Sequence, residues 1–115
     1  MDFEAIAKRC ATIADDKRAT DVQIYNLDGK SDFADYFVVA SGDNRRQLQA
    51  ISREIEHQLR EQRVSHLGTE GFDDGQWILV DYGAVIVHLF LPDVRRRFDF
   101  DLLWGDAPRI PWSTT

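Results

Sequence analysis

Cysteine is nearly absent: Cys10 is the only one among 115 residues, which excludes an internal disulfide and a thiolate zinc cluster. That usage fits a reducing compartment. The apolar runs fall far short of the ~20 residues needed to span a bilayer. The opening Met1-Asp2-Phe3-Glu4 is acidic and lacks a signal or transit pattern, so a cytoplasmic protein with no membrane contact is expected. Positive charge is also scarce, with 14 Lys and Arg against 20 Asp and Glu for a formal net charge of -6. Phosphate-backbone affinity needs clustered positive charge, so DNA binding is not expected and RNA binding is not expected to be the driving force. Arg45-Arg46 and Arg95-Arg96-Arg97 are basic clusters, and they allow a peripheral RNA contact. The acidic balance suits a basic partner, or simply solubility.

Catalytic signatures are missing too. Ser41-Gly42 follows a predicted strand and precedes a predicted helix, a place where ligands often sit in α/β sheets. No G-x-S-x-G elbow surrounds it, and one glycine before a helix reads as a turn, not a phosphate cradle. His57, His66 and His88 lie on different elements without ligand-like neighbours, so no metal and no cofactor are expected. The acids Asp99-Phe100-Asp101 fall in a helical stretch where positions two apart diverge, which makes them a solvated helix edge.

What is present is a regular alternation of elements within a single-domain length. Phe3, Ile6, Cys10 and Ile13 recur at helical spacing behind a possible Asp2 cap. Two strands follow, residues 22–27 and 35–40, separated by an Asp28-Gly29 turn. Asn44 with Gln47 has capping-box spacing ahead of the stripe Leu48, Ile51, Ile55 and Leu59, which runs to about Arg63. Residues 64–69 form a short strand, and 70–75 an acidic, turn-rich loop. After the next two strands, Pro92-Asp93 starts one last helix with a stripe of Val94, Phe98, Leu102 and Trp104. The order α, β, β, α, β, β, β, α predicts an α/β or α+β fold: a mixed sheet of about five strands flanked by helices.

The hairpin at residues 77–90 has two chemically different faces. Side chains alternate along a strand, and a two-residue turn pairs odd positions with even ones. Ile78, Val80, Tyr82, Val85, Val87 and Leu89 share one face and read as core. Trp77, Leu79, Asp81, Ile86, His88 and Phe90 share the other, with Glu70 just upstream. Two readings of this second face stand side by side. Either a helix covers it and Trp77 fills core, or it is a protein-binding patch, with a tryptophan anchor and acids suited to a basic partner.

At these residues the chain resembles the ribosomal silencing factors, the Iojap-like proteins. The resemblance runs from about Phe3 to Ala107. It is carried by Asp35-Tyr36-Phe37-Val38-Val39-Ala40-Ser41-Gly42, Arg46-Gln47 with Ala50-Ile51, and Glu70-Gly71. It continues through Gly75-x-Trp77-Ile78-Leu79-Val80-Asp81-Tyr82-Gly83, Val85-Ile86-Val87-His88, Arg96-Arg97-Phe98 and Leu103-Trp104-Gly105-Asp106-Ala107. It implies one domain over residues 1–107, related to nucleotidyltransferases but without their catalytic residues, and so not an enzyme. It further implies a translation repressor that binds the large ribosomal subunit through large-subunit ribosomal protein fourteen and sterically blocks joining of the small subunit. A homodimer in the free state is implied as well. On this resemblance Trp77 would anchor in the ribosomal protein, Glu70 and Asp81 would face its basic residues, and Leu79 and His88 would complete the patch. Residues 108–115, an extended segment with Pro108, Pro111 and Trp112, lie beyond the resemblance. Two other functions compete: a large-subunit assembly factor without inhibitory role, and a degenerate nucleotidyltransferase using Ser41-Gly42 and a metal held by Asp35 and Asp81.

Overall fold

A computed structural model describes residues 2–28, 31, 32 and 34–113, with residue 101 by its backbone alone. Helix α1 (Phe3–Asp16) begins where Asp2 accepts from the Ala5 N–H at 3.1 Å, and it buries Ile6, Ala7, Cys10, Ala11, Ile13 and Ala14. Helix α2 (Arg45–Glu61) begins where Asn44 Oδ1 accepts from the Gln47 N–H at 2.9 Å. The returning bond of the expected capping box is displaced by one residue, because Gln47 Oε1 accepts from the Asp43 N–H at 2.7 Å. The expected Asp28-Gly29 turn is present at Asp28, while Gly29 lies outside the described residues.

The five strands are β1 (Thr20–Asn26), β2 (Tyr36–Ser41), β3 (Gly68–Glu70), β4 (Trp77–Asp81) and β5 (Val85–Phe90). They form one mixed sheet in the order β1-β2-β5-β4-β3, in which only β2 and β5 run parallel. The predicted fold class and strand number therefore hold. The strand expected over residues 64–69 shrinks to the three residues of β3. At the hairpin turn Gly83 has φ +84° and the Tyr82 N–H donates to the Val85 carbonyl at 2.9 Å. Glycine as the first central residue of a two-residue loop suits the twist of the flanking strands.

The hairpin's two faces separate as the alternation requires. Ile78 pairs with Leu89 and Val80 with Val87, and this face packs with α1 and α2 around Ile24, Val38 and Ala40. On the opposite face Tyr25, Phe37, Val39, Ile86 and Phe90 form a smaller core beneath Phe100 and Ala107. Strand β5 is therefore buried at every position, whereas β4 alternates between buried and half-buried.

The single final helix is corrected to two, α3 (Pro92–Phe98) and α4 (Phe100–Trp104). Asp99 sits between them at φ 43°, left-handed, and its carboxylate caps α4 by accepting from the Leu102 N–H at 3.2 Å. It is thus a hinge point instead of a helix edge. The break resets the helical phase. Phe100 turns inward at 4% exposure, while Leu102, expected on the buried stripe, is 81% exposed and Leu103 57%.

The segment after Ala107 folds back along β1. The Asn26 N–H donates to the Pro108 carbonyl at 2.8 Å, and the Ile110 N–H to the Ile24 carbonyl at 3.0 Å. Trp112 Nε1 donates to the Val22 carbonyl at 3.2 Å, so this indole is spent on the domain.

Candidate functional site

Strand register places the candidate residues in rows on one sheet face. Glu70 lies opposite Leu79, and Leu79 opposite His88, so these three form a row across β3, β4 and β5. Trp77 pairs with Phe90 on one side of that row, and Asp81 with Ile86 on the other. The short α3–α4 unit covers the β2–β5 part of this face, and the β4–β3 part carries Leu79, Asp81 and Glu70 half-buried to exposed.

Trp77 sits at the boundary. Its ring lies 5.0 Å from Phe90 and 4.5 Å from Phe98 of α3, centroid to centroid. Its Nε1–H donates to His88 Nδ1 at 3.1 Å. One edge of the indole is thereby fixed, and the other borders a groove of ≈ 460 Å³ lined by Asp74, Gln76, Val94, Arg97 and Phe98. The covering reading is realised in part: α3 lids one side of the indole, and the remainder stays half-buried.

His88 needs a correction as a contact residue. It is 5% exposed and packed beneath Trp77, with Phe37 edge-on at 4.7 Å and 82°. Sequence alternation assigned its face correctly, but the cover comes from Phe100, 5.1 Å away and twelve residues further along the chain. Burial pushes its imidazole from 6.5 down to about 4, so it is neutral at pH 7. With Nδ1 accepting, the proton belongs on Nε2, which has no hydrogen-bond partner among the described residues. His88 thus supports the indole from below.

Asp81 is half-buried, and one carboxylate oxygen accepts from the Gly83 N–H at 2.7 Å, which ties it to the hairpin turn. Glu70 is exposed at the end of β3. The chain then turns at Gly71, whose φ is +76° and where a Cβ would collide with the Trp77 carbonyl oxygen. Only glycine permits that approach. The following loop is held to α2, because Gln49 Nε2 donates to the Phe72 carbonyl at 2.8 Å and Arg53 stands 5.0 Å over the Phe72 ring.

Sequence reasoning missed Phe98, Leu102 and Leu103 as surface residues. The available signal was Asp99 at N-cap spacing from Leu102, which marks a second helix start. The residues named for a nucleotidyltransferase site do not converge. Asp35 precedes β2 and Ser41 ends it, roughly 20 Å apart at strand rise, and Asp81 pairs near the start of β5. Among the described residues no group of three or more His, Cys, Asp or Glu is placed to hold a metal ion. Nor is any described helix long and apolar enough to cross a membrane.

Comparison with known proteins places this geometry in context. The family model described as "Ribosomal silencing factor during starvation" matches residues 1–115. The ribosomal silencing factor of Bacillus subtilis is 44% identical over 108 residues, covering 94% of this chain and 92% of that protein. A crystal structure of a Chromobacterium violaceum protein superposes with a TM-score of 0.87 at 31% identity, covering 100% of this chain and 94% of the other. The mouse protein named "Mitochondrial assembly of ribosomal large subunit protein 1" is 29% identical over 91 residues, covering 76% of this chain and 40% of its own length.

Proposed function

The chain belongs to the ribosomal silencing factor family, and on that premise we propose that it represses translation by occupying the large ribosomal subunit. Docking is through large-subunit ribosomal protein fourteen, and the bound protein sterically excludes the small subunit. Blocking a surface needs no bond chemistry, so no catalytic step, metal or cofactor enters. An interface of about 1,200–2,000 Å² suffices. The observation that carries this reading is the half-open face around Trp77: a tryptophan braced by Phe90, Phe98 and His88, beside the carboxylates of Glu70 and Asp81.

The roles follow from position. Trp77 and Leu79 supply the apolar centre, and Glu70 and Asp81 meet basic side chains of the partner. His88 keeps the indole in place without touching the partner. Exposed Phe98, Leu102 and Leu103 extend the apolar surface past the groove. In the free state two copies pair as a homodimer, and the arginines of α3 make a peripheral contact with ribosomal RNA once docked. The working compartment is the cytoplasm.

Trp77→Ala tests the docking. We expect large-subunit binding to weaken by about 2 kcal/mol or more, about 30-fold, with the fold retained. Co-sedimentation with purified large subunits reads this out, and unchanged binding removes Trp77 from the interface. A gradient of mixed subunits tests the silencing itself: preloading the large subunit should deplete joined ribosomes. Normal joining at saturating bound protein would favour the second reading, a large-subunit assembly factor, which is the role in the printed name of the mouse relative.

A further inference from the structure

A second concave site lies on the other side of α3 from Trp77, apart from the proposed protein-docking face. It is an open basin of ≈ 550 Å³, within the usual range for small ligands, bounded by α3, the start of α4, β1 and the returning C-terminal segment. Its floor is at the carboxyl ends of the adjacent parallel strands β2 and β5, where Ser41 pairs with Phe90. Crevices at such strand ends are the common ligand position in α/β sheets.

The chemistry of the wall is cationic. Arg95 is only 14% exposed at its side chain, its Nη1 donates to Ser41 Oγ at 2.8 Å, and its Nη2 lies 3.3 Å from an Asp21 carboxylate oxygen. Arg96 lines the same basin, exposed and paired with Asp93. Arg109 arrives from the C-terminal segment and stands 3.8 Å over the Tyr25 ring. Three guanidinium groups thus face one basin; Asp21 pairs with Arg95, Asp93 pairs with Arg96, Asp99 lines the rim, and Arg109 Nη1 donates to the Ala107 carbonyl at 2.7 Å, so the guanidinium groups are held in place by their own carboxylates and carbonyl. Asp21 and Asp99 hold left-handed backbone, at φ 50° and 43°.

We propose that this basin binds a phosphate group, with Arg95 and Ser41 as the fixed donors and Arg96 and Arg109 as the flanking charges. A guanidinium fork matches phosphate oxygens in pairs, and a mostly buried one is already oriented. Recognition stops at the phosphate. The Tyr25 ring is 2% exposed and already faced by Arg109, so no aromatic platform is left for a base. Asp21 acts as an internal stand-in: its carboxylate occupies Arg95 when the site is empty and is displaced by the arriving anion. The phosphate comes either from a free nucleotide or from an RNA backbone. The site is separate from the Trp77 face; the RNA source deepens the peripheral contact proposed above for the arginines of α3, whereas the free-nucleotide source does not rest on docking.

The test is a titration of isotope-labelled protein followed by amide NMR shifts, with pyrophosphate, ADP and a short single-stranded RNA lacking terminal phosphates as separate probes. Saturable shifts are expected at Asp21, Ser41 and Arg95. Arg95→Gln should weaken binding by about tenfold or more, and Asp21→Asn should strengthen it severalfold by removing the competing carboxylate. Asparagine tolerates left-handed backbone, so Asp21→Asn keeps the test alive should Arg95→Gln unfold. Opposite signs for the two variants distinguish a binding site from a structural ion pair. Shifts with pyrophosphate and ADP identify a free-nucleotide site, and shifts with RNA alone identify a backbone contact. No saturable shift with any probe, or Asp21→Asn binding no tighter than wild type, overturns the proposal.

Discussion

The buried His88 makes stability depend on pH in a window set by one imidazole. In the unfolded chain this group takes up a proton as pH falls through about 6.5, whereas in the folded protein burial holds protonation off until about 4. The unfolded state therefore binds more protons between these values. Its contribution is full above pH 6.5 and is lost progressively as pH falls to about 4. At 1.36 kcal/mol per tenfold change in proton affinity, the whole effect is about 3 kcal/mol. That is a large share of the 5–15 kcal/mol, roughly, by which domains are stable. Protonation also converts Nδ1 from acceptor to donor, so it would oppose the Trp77 N–H it now receives. Urea unfolding by circular dichroism across this pH range, for wild type and His88→Asn, isolates the effect. Asparagine keeps a short acceptor but cannot titrate, so subtraction removes the carboxylates that the two proteins share. Parallel stability curves from pH 7 to 4 would refute the assignment of a neutral, buried imidazole.

Three other outcomes follow from the geometry. Gly71→Ala should cost about 1–3 kcal/mol in thermal or chemical unfolding, because φ +76° is unfavourable for alanine and its Cβ meets the Trp77 carbonyl; a neutral result would mean the loop relaxes freely. Cys10 is fully buried and its thiol is pushed up to about 12 by that burial, so a thiol reagent should label it only on unfolding; rapid labelling of the native protein would contradict the packing of α1. Leu102→Asp should leave stability within about 0.5 kcal/mol because the side chain is 81% exposed. If it also leaves large-subunit co-sedimentation unchanged, the apolar face of α4 lies outside the docking surface.

Local physics made much of this fold legible. The hairpin's faces could be assigned because side-chain direction alternates with period two, whereas the register of Ile78 with Leu89 and Val80 with Val87 is set by the Gly83-Ala84 turn, one of two turn positions that give the same faces. Asp2 and Asn44 announced their helices because capping is a contact within three residues. What escaped were consequences of long-range cover. His88 was placed on the correct face, yet its burial depends on Phe100, and the inward turn of Phe100 depends on one left-handed residue at Asp99. A continuous helical period through residues 92–104 hides that break, since the apolar spacing survives it in the sequence. The row from Glu70 through Leu79 to His88 was likewise invisible, because it requires the pairing of β3 with β4 across an intervening loop.

The backfolded C-terminal segment has a bearing on how copies of this molecule meet one another. It occupies the free rim of β1 with main-chain bonds at Asn26 and Ile24, while the opposite rim, β3, is only three residues long. Neither margin offers a long ladder of unsatisfied amides on which a neighbour could extend the sheet. Self-association in this architecture is thereby steered toward reversible contacts between side chains, and away from the strand-by-strand growth that ends in fibres.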